Sequence, residues 1–261
     1  MIARQVRGAV VLLAPWIIAL VPTSTGAQVN VERLRSGDTP PGMSGFVGMD
    51  LSARTGNVEI VELEPNGAIT YASAHRTTIL IGSASFGWQG RESFSNEALL
   101  HARQVFRTQA QLQPEVFAQV NYDKARLLTF RGLFGAGIRV RLYQSDANQL
   151  WLGSSYMFEH EHLQLSDTAA HPVKTSVHRW SNYISMAIGI GDRSRITSAL
   201  YVQPQVDAPE DVRLLSQTTL AVGISGQFSL VVSLDMHYDS RPPDDIHSLD
   251  TRLETGVSVG F

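Results

Sequence analysis

The sequence predicts an all-β fold: an antiparallel transmembrane β-barrel of about twelve strands, following a cleaved N-terminal signal peptide. Three observations carry that prediction. Oily and polar residues alternate in segment after segment, the period-two signature of strands with one apolar face. The connections between these segments are tight at every second place and longer at most of the others. The chain opens on an export leader, yet no later stretch is apolar enough to cross a membrane as a helix.

Composition fits. Of the 261 residues, 43% are hydrophobic and the mean hydropathy is -0.04, far from that of a helical membrane protein. A barrel hides from such averages because only alternate residues face lipid. The absence of cysteine excludes thiol nucleophiles, thiolate metal sites and a disulfide framework. Net charge is -3, and removing Arg4 and Arg7 with the leader leaves 19 basic residues against 24 acidic. A mildly acidic chain offers no electrostatic case for nucleic acid, and no nucleic-acid partner is expected.

Arg4 and Arg7 precede a nearly unbroken apolar run from Gly8 to Val21. Pro22 ends it, and Thr25-Gly26-Ala27 supplies small residues before Gln28. This is the layout of a secretory signal peptide over residues 1–27, too short in its apolar part to act as a membrane anchor. Residues 28–43 are polar, contain Pro40-Pro41-Gly42, and suit an irregular periplasmic lead-in. The barrel domain then occupies 44–261.

Twelve strands follow. The first six are expected at Ser44–Arg54, Val58–Ser73, Thr77–Trp88, Asn96–Thr108, Pro114–Asp123 and Leu127–Leu142. The second six are expected at Gln149–His162, Ser176–Ile190, Arg195–Val206, Val212–Ser225, Gln227–Asp239 and Asp250–Phe261. All reach the ~9–11 residues that a tilted transmembrane strand needs. In Gln227–Asp239, Phe228, Leu230, Val232, Leu234, Met236 and Tyr238 share a face opposite Ser229, Ser233, Asp235, His237 and Asp239. In Leu127–Leu142, Leu128, Phe130, Phe134, Ile138, Val140 and Leu142 oppose Arg131, Arg139 and Arg141. The final strand sets Leu253, Thr255, Val257, Val259 and Phe261 against Arg252, Glu254, Gly256, Ser258 and Gly260. An amphipathic last strand ending on an aromatic resembles the closing strand of bacterial outer-membrane barrels.

Loop parity separates a barrel from a soluble sandwich with the same alternation. Connections 74–76, 109–113, 143–148, 191–194 and 226 are tight, as periplasmic turns are. Those at 89–95, 163–175, 207–211 and 240–249 are longer and fall in the intervening, external places; 55–57 and 124–126 are short exceptions. Aromatics also gather at strand ends: Trp88, Tyr122, Trp180 and Tyr238 at the outer ends, and Tyr71, Phe106, Tyr143, Phe228 and Phe261 at the inner. Two such girdles mark the membrane interfaces.

Three stretches carry a family resemblance. They are Gly45-Phe46 through Ser52-Ala53-Arg54-Thr55-Gly56-Asn57, Val116-Phe117-Ala118-Gln119 through Gly135-Ala136-Gly137-Ile138 to Glu161, and Tyr238-Asp239-Ser240-Arg241-Pro242-Pro243 through the last strand. In order and spacing the chain resembles the domain-of-unknown-function 481 family, described as salt-induced outer-membrane proteins. The resemblance spans roughly residues 44–261. It implies an outer-membrane barrel and a link to salt, osmotic or acid stress, and it carries no reaction, ligand or catalytic residue. It also implies contact with outer-membrane lipid and lipopolysaccharide, and delivery to the barrel-assembly machinery through the strand ending in Phe261.

The register points a set of charges into the lumen. Arg103, Arg107, Arg131, Arg139, Arg141, Glu159, Glu161, Arg179, Arg195, Arg213, Asp235, Arg252 and Glu254 are the candidate pore-lining residues. They would form either a cross-lumen ion-pair network filling a narrow barrel or the lining of a path for a small ion or solute. Arg107, Arg139 and Arg141 would gather at the periplasmic mouth and favour anions there. Twelve strands lie between side-chain-filled eight-stranded barrels and sixteen-stranded water channels, so strand number does not decide.

Other chemistry is poorly supported. Glu159-His160-Glu161-His162 places its two acids and two imidazoles on opposite faces of a strand; only a curled end recruiting His171, His247, Asp244 or Asp245 could bind a divalent ion. No metal and no cofactor is expected. Twelve-stranded barrels include phospholipases, but His75, His101, His178 and His237 lack an evident serine and orienting partner, and no Gly-x-Ser-x-Gly elbow occurs. The glycines of Gly132–Gly137 lie inside an alternating strand rather than before a helix, so they make room for large neighbours instead of cradling phosphate. The expected role is a non-enzymatic narrow pore or structural envelope protein. A phospholipase-type lipid enzyme and a soluble periplasmic β-carrier are the alternatives.

Overall fold

The structure, a computed structural model, describes residues 41–54, 59–108 and 111–260. The expected leader, most of the lead-in, the Thr55-Gly56-Asn57 turn and Phe261 lie outside the described residues. Twelve strands make one closed antiparallel sheet in sequential order, with β1 hydrogen-bonded to β12. They are β1 (Gly42–Arg54), β2 (Ile60–Ala72), β3 (Arg76–Gln89), β4 (Glu92–Phe106), β5 (Leu112–Asp123) and β6 (Leu128–Gln144). The ring continues through β7 (Asn148–Leu163), β8 (Lys174–Ile190), β9 (Ser194–Pro204), β10 (Val212–Ser225), β11 (Phe228–Asp239) and β12 (Leu249–Gly260). A closed ring has no edge strand, so its ladder hydrogen bonds need neither water nor a second sheet.

The alternation decides which side is which. On β11, Leu230, Leu234 and Met236 point outward while Val231, Asp235, His237 and Asp239 are buried inside. On β12, Leu253 and Val257 are exposed outside and Arg252 and Ser258 are buried. The outer wall is a band of exposed Val, Leu, Ile, Met and Phe carried on every strand. Water does not tolerate a contiguous apolar surface of that extent, whereas hydrocarbon covers it at no cost. Trp88 and Trp180 stand exposed at one end of the band, and Tyr71, Phe106, Tyr143 and Phe228 at the other. Among the described residues two stacked sheets with interleaved apolar faces, the arrangement a soluble sandwich requires, do not occur: the chain is a transmembrane β-barrel.

Two expectations are corrected. The connection at 89–95 is not a long loop, because β3 and β4 stay paired as far as Gln89 and Glu92. Gly90, at φ 60°, opens a two-residue turn of the kind that needs a left-handed first residue. Leu128 does not join Phe130 outside. A register shift between Leu128 and Phe130 puts one extra residue in β6 and turns Leu128 inward, where it is buried. The connections 164–173, 205–211 and 240–248 remain the long ones, and all three open from the same end of the barrel.

Glycines opposite aromatics shape one half of the interior. Gly153 is the register partner of Tyr183, and a Cβ at Gly153 would lie 2.1 Å from the tyrosine ring. Gly135 faces Phe117 the same way, with 2.4 Å to the ring. The missing side chains let each ring lie flat on the neighbouring backbone, which supports the strand that the glycine would otherwise weaken.

Candidate functional site in the barrel interior

The interior is packed along β4–β9 and hollow along β10–β12 and β1–β4. In the packed half, Arg103 of β4 pairs with Glu115 of β5 at 3.3 Å, and the Tyr183 hydroxyl of β8 donates to the same carboxylate at 2.9 Å. The Arg103 guanidinium lies 5.1 Å from the Phe117 ring centre and 5.6 Å from that of Tyr183. Nearer the short-turn end, Arg139 donates to Gln113 at 2.6 and 3.0 Å and stacks 4.0 Å from the Trp151 ring. Arg141 reaches Gln144 at 2.7 Å, and Arg107 approaches the Ser73 carbonyl at 3.5 Å. Arg141 also lies 5.9 Å from the centre of the Trp151 ring, so Arg139 and Arg141 gather on one tryptophan. Arg195, on β9 at the same end of the barrel, shares the inward face of Thr197 and Ala199 and is half-buried.

Toward the long-loop end a second cluster closes the barrel. Arg213 of β10 bonds Glu159 and Glu161 of β7, each at 2.7 Å, and Asp239 of β11 at 2.9 Å. Arg131 also pairs with Glu161, and Arg179 of β8 joins Glu159 at 3.2 Å and Asp211 at 3.0 Å. Arg126, in the β5–β6 turn, crosses the mouth to Asp250 on β12 at 2.6 Å and meets His237 of β11. Burial lowers the affinity of the Arg126 guanidinium for its proton, and Asp250 beside it raises it. Arg213 to Glu159 and Glu161 joins β10 to β7, and Arg126 to Asp250 joins the β5–β6 turn to β12. These elements are not neighbours in the sheet, so these pairs are struts across the lumen. Arg131–Glu161, Arg179–Glu159 and Arg213–Asp239 link adjacent strands. Between the struts and the 240–248 loop only about 20 Å³ remains, room for roughly one water.

The hollow half is different. Gly48, Gly256, Ser83, Ser85, Ser233 and Ser258 project little or nothing inward, leaving a cavity of about 170 Å³. Arg252 of β12 stands in it, bonded to Glu97 of β4 at 2.9 Å and Glu254 at 2.8 Å, with Glu64 of β2 at 4.0 Å. Glu64 accepts a bond from Ser85 at 3.1 Å, and Asn66 reaches Asp50 at 3.4 Å. Asp235 lines the same space, buried; Gln217, its register partner on β10, bonds its side chain, and among the described residues no arginine pairs with it within 4.0 Å.

The candidate pore-lining residues thus fall into three groups, with Arg103 at the waist. Arg107, Arg139, Arg141 and Arg195 lie at the short-turn end, Arg131, Glu159, Glu161, Arg179 and Arg213 in the outer struts, and Asp235, Arg252 and Glu254 in the cavity. Sequence reading missed Arg126, because a turn residue has no strand face to assign. It also did not foresee that glycines and serines would concentrate on one wall.

The Glu159–His162 stretch runs straight within β7, with its acids inside and His160 outside; among the described residues no three metal-ligating side chains come together. His178 lies on the outer face with its Nδ1 2.7 Å from the Tyr156 hydroxyl. The His160 Nδ1 lies 2.8 Å from Ser176 Oγ, also outward, but no described group bonds its other nitrogen to orient the ring.

A membrane-spanning barrel with a strutted, charge-lined interior is the class that fold and site define. The chain belongs to the family described as proteins of unknown function, DUF481, which it matches over residues 48–261. Curated proteins give no match. Among solved structures, the chain is similar to a KdgM porin in complex with disordered oligogalacturonate, at 11% identity and TM-score 0.44, covering 84% of this chain and 99% of that one. It is also similar to a NanC porin, at 8% identity and TM-score 0.47, covering 83% and 97%. A third is the translocator domain of autotransporter NalP from Neisseria meningitidis, at 9% identity and TM-score 0.47, covering 84% and 86%. Likenesses of that size say nothing about ligand or mechanism.

Proposed function

We propose that the protein is an outer-membrane envelope barrel whose lumen is closed at rest, rather than an open diffusion pore or an enzyme. The observation that carries this reading is the set of struts: Arg213 to Glu159 and Glu161, Arg126 to Asp250, Arg252 to Glu97, and Tyr183 to Glu115. A solute path would have to break several charged contacts at once, and each exposes ions to a low-dielectric interior when it breaks. Outer-membrane placement is supported by the apolar outer wall, the aromatic ends and the export leader in the sequence. Residues 1–27 act as that leader, and the lead-in expected over 28–43 gives way to the barrel at Gly42, where β1 begins.

Planar-bilayer recording of refolded protein tests the closed lumen. The expected result is quiet membranes at moderate voltage; steady single-channel currents in the unmodified protein would overturn it. Membrane fractionation tests placement, with the protein expected in the detergent-requiring outer-membrane pool and not in the osmotic-shock supernatant. A part in salt or osmotic stress is the further expectation of the family resemblance, and growth of a deletion strain at raised salt measures it.

A further inference from the structure

We propose that the acidic cavity along β10–β12 and β1–β4 is a binding site for a small organic polycation, an aliphatic diamine or triamine. Five carboxylates, those of Asp50, Glu64, Glu97, Asp235 and Glu254, line a space that contains a single guanidinium, Arg252. The outer struts are richer in cations: Asp123, Glu159, Glu161, Asp211, Asp239 and Asp250 are served by Arg126, Arg131, Arg179 and Arg213, whereas Glu64, Glu97 and Glu254 all share Arg252. The cavity therefore sets more acids than cations around one space.

Two carboxylate oxygens show where a missing partner belongs. Asp235 is 8% exposed and Glu97 is 9% exposed, yet Oδ1 of Asp235 and Oε2 of Glu97 have no hydrogen-bond donor. Burying a polar oxygen without a donor is costly, and a bound cation that supplies N–H groups would offset that cost. A single metal ion does not fit, because no three acidic side chains of the cavity converge on one point. Separated acids ask for separated positive charges. The cavity, at about 170 Å³, exceeds many times the roughly 10–15 Å³ that one water needs, which leaves room for methylenes between ammonium groups. The site stands whether or not the lumen conducts, since it needs only the cavity and its charges.

Isothermal titration of the full barrel in detergent micelles, with putrescine and then spermidine, tests the proposal. Sodium and magnesium chloride at matched ionic strength serve as comparisons. Saturable one-to-one binding of an amine is expected, weakened at least tenfold in Asp235→Asn and in Glu254→Gln. Glu210→Gln, which removes an exposed loop carboxylate paired with Arg241, is expected to leave the affinity unchanged. Heat-modifiable gel mobility shows that each variant is folded, and Asp235→Asn keeps the side chain's shape. Absence of saturable amine binding would overturn the proposal, as would equal loss in Glu210→Gln or magnesium binding as tightly as the amines. Because this readout is an equilibrium affinity, its failure is distinct from the appearance of current in a bilayer.

Discussion

Asp235 and Arg252 are register partners across the β11–β12 ladder and do not form an ion pair. The guanidinium instead crosses the lumen to Glu97, and its other nitrogen turns to Glu254 on its own strand. That choice sets the character of the interior. Arg252 becomes a strut tying β12 to β4 over the short β1–β12 seam, where only Phe46–Met49 and Val257–Gly260 pair among the described residues. It also leaves Asp235 facing the cavity.

Removing that strut should weaken the closure of the ring. Arg252→Met keeps the aliphatic stem but leaves Glu97 buried beside no cation, a change that typically costs ~3–5 kcal/mol. The expected outcome is a lower urea midpoint for Arg252→Met, and partial recovery in the Arg252→Met/Glu97→Gln double variant. A single and double variant of equal stability would mean that the seam is held by its ladder alone.

The Gly153–Tyr183 contact offers a purely steric test. A methyl at position 153 would sit 2.1 Å from the ring that carries the hydroxyl bonded to Glu115. Tyr183 would have to swing, losing both its seat on β7 and its bond to β5. Gly153→Ala should therefore destabilise the barrel by ~1–3 kcal/mol, as overpacking does. Gly153→Ala/Tyr183→Phe should cost little more than Gly153→Ala, because the bond is already lost. Urea titrations of the three proteins give both numbers.

The sequence showed the fold for a simple reason: a lipid-facing wall imposes period-two alternation on every strand, and each of the twelve retains it. Strand ends were read to within a few residues, except where Gly90 makes a turn tighter than its polar surroundings suggested. Facing was legible too, apart from Leu128, because nothing local marks a bulge in advance. What alternation does not contain is who meets whom across the lumen. The Arg213–Glu159 and Arg126–Asp250 pairs join residues 54 and 124 positions apart, and only closure of the ring brings them together. The division into a packed and a hollow half has the same origin. Gly48 and Gly256 lie at opposite ends of the chain and become neighbours only at the seam.

Lipid exposure of the outer wall makes a prediction that separates a membrane protein from a soluble one. Leu234 sits in the middle of β11, 40% exposed on the outer face, opposite Leu253. On a soluble protein, arginine at an exposed site is usually tolerated within about 0.5 kcal/mol. At a bilayer midplane it costs ~2–4 kcal/mol. Leu234→Arg refolded into lipid vesicles should lose stability by the larger amount. The inward neighbour Ser233→Thr should change it little. Equal tolerance at both positions would mean that hydrocarbon does not cover this face.

The outer struts are the place where the closed lumen can be opened by design. Arg213 contacts Glu159, Glu161 and Asp239. Arg179 also holds Glu159 and Arg131 holds Glu161, so among the described residues only Asp239 of the three depends on Arg213 for its arginine. Neutralising both sides of that pair, Arg213→Gln with Asp239→Asn, removes the cation that spans the lumen and leaves the neighbouring pairs intact. Arg126→Gln with Asp250→Asn likewise releases the bridge across the mouth. Replacing a buried ion pair by neutral groups of similar shape is often close to neutral in stability, so the fold is expected to survive while the mouth loosens. Current through the quadruple variant in planar bilayers should appear and rise with voltage where the unmodified barrel is silent. Silence in the variant as well would locate the block deeper, at the Arg103–Glu115–Tyr183 waist, and Tyr183→Ala would then be expected to conduct.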